Sequence, residues 1–175
     1  MAFFSDDENK IEGILQVNQS WQNYSDKEDK QIDYSNLDIN PRWSFRRTIV
    51  RNAFFRISVV RIYENRCAFC GLKVIKNGNQ NIVDGAHIKP FSQFYDSRIH
   101  NGISLCKNHH WAFDMGWFSV DNQYKIIISN DLEEVSPHAK PMKDFHGEKL
   151  LLPKTEQLFP EMEALEWHRQ NIFKA

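Results

Sequence analysis

CAFCGLKVIKNGNQNIVDGAHIKPFSQFYDSRIHNGISLCKNHHWAFDMG, residues 67–116, holds all three cysteines of the chain and four of its seven histidines. Cys67 and Cys70 form a C-x2-C half-site, and Cys106 with His109 forms a C-x2-H half-site. A two-residue spacer lets one tight turn aim two ligands at one ion, so the paired half-sites predict a tetrahedral Cys3His zinc site of the structural kind. Ordinary buried thiols are the competing reading, but it leaves unexplained why every cysteine stands at ligand spacing. The half-sites are 35 residues apart, so something must be built between them.

What lies between points to a second site. NIVDGAHI reads as a short strand, with Asp84 and Ala86 on one face and His87 on the other by two-residue alternation. KNHHWAFDMG reads as a helix stopped by Gly116. On it His110 and Asp114 share a face at i, i+4, whereas His109 and His110 point about 100° apart. Adjacent histidines so arranged suit two ions, His109 turned to the zinc and His110 to a second metal.

The order Asp84-x-x-His87-Ile-x-Pro90, then Asn101-Gly-x-x-Leu-Cys106-x-x-His109-His110-x-x-x-Asp114-x-Gly116, resembles the HNH endonucleases, the ββα-metal nucleases. The branch it is most similar to carries AHI-x-P, NG-x-x-LC and H-x-x-FD-x-G signatures and occurs in bacterial restriction enzymes. The likeness runs over residues 42–173 and closes with WHR-x-x-x-F, Trp167 to Phe173. It implies an α+β fold with a ββα-metal core and a catalytic triad of His87, Asn101 and His110. Many relatives place an acidic metal ligand directly before the first histidine, where this chain has Ala86. Asp84, on the same strand face as Ala86, is the expected substitute.

The residue types suit the chemistry independently. Phosphodiester hydrolysis needs a base for the water and a cation on the phosphoryl and leaving oxygens. His87 fits the base, since an imidazole titrates near working pH. His110 and Asp114, with Asp84, fit one divalent ion, and a mixed His/carboxylate set suits Mg2+, Mn2+ or Zn2+. Asn101 can orient the base or tie down its loop through its amide. The expected function is metal-dependent cleavage of DNA in a restriction or phage-defence system. The alternatives are a zinc-stapled nucleic-acid-binding module without catalysis, and a nuclease of a toxin or mobile element.

Charge is unevenly spread. Residues 1–40 carry nine acidic and three basic side chains, residues 41–66 carry seven arginines against Glu64 alone, and the remainder nearly balances. The overall balance argues against a general nucleic-acid coat, while the middle block points to a local basic patch. Residues 1–40 read as an acidic arm or linker, and Pro41 opens the nuclease domain, 41–175. Residues 42–66 read as an arginine-rich helix. Its Arg46, Arg47 and Arg51 are expected to track DNA phosphates, against the alternative of a solvated face whose stems cover the core.

Beyond the core, LKVIKNGNQNIVDGAHI reads as a hairpin turning at Asn-Gly, and residues 88–102 as a loop over the site. WFSVDNQYKIIIS reads as a second hairpin turning at Asp121-Asn122. PEMEALEWHRQNIF starts a helix at Pro160, with Met162, Leu165 and Trp167 inward and His168 structural. No apolar run approaches the ~20 residues of a membrane span, and MAFFSDDENK lacks a signal-peptide core. Thiols at ligand spacing agree with a reducing compartment, so the expectation is a cytoplasmic protein. DNA is the expected partner, and a recognition subunit or a second copy in a homodimer stays open.

Overall fold

The computed structural model describes residues 53–77 and 80–175. Phe55–Ala175 gather into one unit. The first described element is a helix, α1, over 53–62, which ends where Glu64 and Asn65 both turn to positive φ. Phe55, Val59 and Ile62 are buried on its inner face, at the i, i+4, i+7 spacing of an apolar stripe.

Among the described residues, six short strands form three two-stranded antiparallel sheets. The Asn-Gly hairpin is smaller than its sequence suggests: β1 (Ile75–Lys76) pairs with β2 (Gln80–Asn81), and one further backbone bond runs from Ile82 N–H to the Val74 carbonyl at 3.1 Å. The strand that bears His87, β3 (Val83–His87), pairs instead with β4 (Gly102–Cys106), in register from Val83 opposite Cys106 to His87 opposite Gly102. The reason is burial. All five residues of β4 are buried, as are the first four of β3, while β1 is exposed throughout. The loop between β3 and β4 carries a single helical turn, α2 (Phe91–Phe94). The chain leaves β4 straight into α3 (Lys107–Asp114), which completes a ββα unit.

Helix α1 lies so close on this ribbon that position 102 must be glycine. A Cβ there would sit 2.4 Å from a Val59 methyl and 3.0 Å from the Phe55 ring. Beyond α3 come the second hairpin, β5 (Phe118–Val120) with β6 (Ile126–Ile128), and α4 (Met162–Asn171). The β5–β6 turn is held by the Asp121 carboxylate, which accepts from the backbone of Gln123 and Lys125. On α4 the buried residues are Ala164, Leu165 and His168; Met162 and Trp167, expected inside, are only half-buried. Gly116, at φ +74°, receives the end of α4 so tightly that a Cβ would meet the Ile172 carbonyl oxygen at 2.0 Å.

Candidate functional site

Four metal-ligating side chains converge at one end of the ribbon. Cys67 opens a knuckle closed by two backbone bonds, Cys67 N–H to Leu72 and Gly71 N–H to the Cys67 carbonyl, 2.9 and 2.8 Å. Cys106 caps α3, and His109 follows within its first turn. The ligand atoms of Cys67, Cys70, Cys106 and His109 all lie within 4.8 Å of one another. His109 Nδ1 is 3.1 Å from the Cys106 sulfur and 3.6 Å from that of Cys67. Zinc–sulfur bonds of about 2.3 Å set sulfurs ~3.8 Å apart in a tetrahedron, so the cluster fits one ion. Its charge balance asks for one as well. Hydrogen bonds from Cys67 and Cys70 pull the Cys106 thiol far down, while contacts with Cys106 and Cys70, and then burial, push Cys67 far up. A cation lets every thiol ionise together. Phe69 shields the cluster by stacking on His109 at 4.1 Å.

The second set lines a cleft of about 330 Å³ whose walls include His87, Pro90, Phe91, His110, Asp114 and His168. His110 Nε2 stands 3.6 Å from an Asp114 carboxylate oxygen, one turn along α3. Burial raises the Asp114 carboxyl against the opposing pull of His110. This partly exposed acid therefore gains from a cation. His87 lies flat on Phe55, with 3.8 Å between ring centroids. Its Nε2 is buried without a hydrogen-bond partner among the described residues. Burial pushes its pKa down to about 4; Asp96 opposes the shift, and His110 and Arg56 add to it. An orphaned nitrogen on a neutral imidazole, beside a His/carboxylate pair, is the donor set that a hydrated divalent ion and a phosphate would complete.

Asn101 does not face the cleft. It is fully buried; its Oδ1 accepts from Lys89 N–H at 2.8 Å, and its amide donates to the carbonyls of Lys89 and Asp96, each at 3.0 Å. This side chain ties both ends of the loop that follows His87. Arg98 secures the same loop from outside, bound to Asp96 and in a fork to Glu161 at 3.0 Å on each arm.

The structure corrects the expectation for Asp84. It does not join His110 and Asp114 but accepts from Arg56 Nε at 2.7 Å and Lys107 Nζ at 2.9 Å. Burial alone would raise its carboxyl, yet these two cations hold it at about 2. It sits three residues before His87, on the opposite strand face. Arg46, Arg47 and Arg51 lie outside the described residues, as does the 1–40 arm. His100 is half-buried and donates to the Phe159 carbonyl. Sequence reasoning missed Phe55, Arg56, Arg98 and Lys107. Each acts on a partner far along the chain, and no local spacing marks such pairs.

Residues 67–121 match the HNH endonucleases. That segment is an HNH endonuclease domain. HNH endonucleases are phosphodiester hydrolases. The α+β fold, with its short hairpins and Cys3His cluster, agrees with that family. A solved structure described as a modification-dependent TagI restriction endonuclease is similar in fold, with a TM-score of 0.51 and 20% identity. The match covers 70% of this chain and 39% of TagI, so the chain spans well under half of that enzyme's length. No curated protein matches the chain. No helix among the described residues is long and apolar enough to cross a membrane.

Proposed function

We propose that this HNH protein cuts DNA with a divalent ion held by His110 and Asp114, as the cleavage unit of a cytoplasmic restriction or phage-defence system. The observation that carries the reading is the convergence of His87, His110 and Asp114 on one cleft, apart from the Cys3His cluster. In this reading the cluster holds a structural zinc, and the cleft takes Mg2+, Mn2+ or Zn2+. When bound, the divalent ion supplies Lewis acidity to the phosphoryl and leaving oxygens. His87 accepts the proton of the attacking water at Nε2, the nitrogen left without a partner. The Phe55 ring fixes the imidazole plane, and Asn101 fixes the backbone just after it. The fold likeness to TagI supports the restriction setting and makes modified DNA the first substrate to try.

The test is plasmid cleavage by zinc-loaded protein with added Mg2+ or Mn2+, on methylated and unmethylated DNA, with His87→Ala as control. Cutting that depends on the ion and on His87 is expected. Binding of DNA without cutting, under all of these conditions, would instead favour a non-catalytic module.

A further inference from the structure

The ion triplet at Asp84 does more than replace a lost ligand. Arg56 and Lys107 share this one carboxylate, so the group carries a net charge of +1. Asp84 is 7% exposed, whereas the Arg56 and Lys107 side chains remain 52% and 59% exposed. A guanidinium has five donors and an ammonium three. Asp84 engages two of the former and one of the latter, so most donors still face solvent. A structural ion pair could neutralise Asp84 with one cation; the second is surplus to that need.

The triplet is joined to the cleft residues through the elements that carry it. Arg56 follows Phe55, whose ring lies on His87, and the Arg56 charge adds a minor part to the lowering of the His87 pKa. Lys107 precedes His110 by three residues on α3, which places the two on neighbouring parts of one helix face. Each cation is thus linked through a rigid element to one of the two cleft histidines.

We propose that Arg56 and Lys107, pinned by Asp84, form a clamp for a DNA backbone phosphate beside the scissile position. The assignment rests on the nuclease reading and adds a binding site to it. Asp84 serves as a brace. Long cationic side chains lose rotamer freedom when they grip a phosphate, and a buried carboxylate that already holds them reduces that loss. The surplus positive charge matches one phosphate.

The probe is a short DNA duplex, bound by the full zinc-loaded chain carrying His87→Ala so that it is not cut, over a series of salt concentrations. Each phosphate contact contributes about 0.9 to the slope of log K against log salt. Lys107→Gln should flatten the slope by about that amount and weaken binding equally for unrelated sequences. Lys107→Arg should restore it. Lys107 is exposed, so neither change should disturb the fold, and calorimetric Mn2+ affinity should stay at the parent value. An unchanged slope in folded Lys107→Gln overturns the clamp, and so does failure of the parent protein to bind duplex. Should Lys107→Gln flatten the slope while His87-intact protein cuts no DNA with any divalent ion, the clamp stands and the nuclease reading fails.

Discussion

His168 donates from Nε2 to the carbonyl of Phe113 at 3.1 Å and lies flat on the ring of the same residue, 3.7 Å between centroids. A carbonyl can only accept, so the Nε2 proton is fixed there, and Nδ1 accepts from the Ser119 hydroxyl at 2.9 Å. One buried imidazole on α4 therefore anchors the last turn of α3, where Asp114 stands, and joins it to β5.

His168→Phe keeps the stack and removes both hydrogen bonds. The Phe113 carbonyl and the Ser119 hydroxyl would be left buried and unpaired, at about 1–3 kcal/mol each. Urea unfolding should show that loss. Adding Ser119→Ala to His168→Phe should cost less than the sum of the single changes, because they share a bond.

Acid should unfold the protein earlier than its carboxylates alone require. Burial pushes His168 down to about 4; the Phe113 carbonyl opposes this and Arg169 adds to it. An unfolded imidazole titrates near 6.5, so the unfolded chain binds the proton first. The stability from neutral His168 is whole above pH ~6.5 and fades as pH falls toward ~4, a loss on the order of 3 kcal/mol. His87 titrates in the same window. The His168 share is therefore read as the extra acid sensitivity of His87→Ala over the His87→Ala/His168→Phe double variant. Equal pH profiles for the two would contradict the assignment.

Removing the zinc ligands should remove the fold. Closed thiolate sites supply on the order of 10 kcal/mol in finger peptides, which rivals the whole stability of a domain of this size. Cys67→Ser and Cys106→Ser should both yield unfolded or insoluble protein, and a strong chelator should melt the parent. A zinc-free, folded and active Cys106→Ser protein would exclude a structural ion.

Base and ligand roles separate in calorimetry. His87→Ala should take up Mn2+ with normal affinity yet cut about a hundred- to ten-thousand-fold more slowly. His110→Ala and Asp114→Ala should lose Mn2+ affinity, and excess Mn2+ should partly revive the latter. Normal Mn2+ uptake by His110→Ala, with none by His87→Ala, would invert the assignment.

Where spacing is local, the sequence was sufficient to read which side chains meet. C-x2-C, C-x2-H and the i, i+4 pair His110–Asp114 depend on one turn each, and the structure brings each set together. The meeting of His87 with His110 came from the family resemblance, since no spacing rule links a strand to a helix 23 residues away. Two readings failed for one reason. Asn-Gly marks a turn but not how far its strands extend, and β3 found its partner 15 residues beyond its own end, where β4 offered a buried edge. Asp84 likewise met Arg56, 28 residues before it, and Lys107, 23 residues after it. Such pairings follow from tertiary packing, which periodicity does not encode.

The Cys3His knuckle has a topological consequence. Once occupied, it is a reversible cross-link from position 67 to position 106, and both His87 and Asn101 lie inside the ring it closes. A protease nick in the 91–98 loop would then leave one particle, its halves held by the ion and separable only by chelation. In a compartment that reduces disulfides, a zinc-filled knuckle would give this small domain the covalent-like closure that a secreted protein would take from cystine, and would place the hold on the His87 loop under the control of zinc supply.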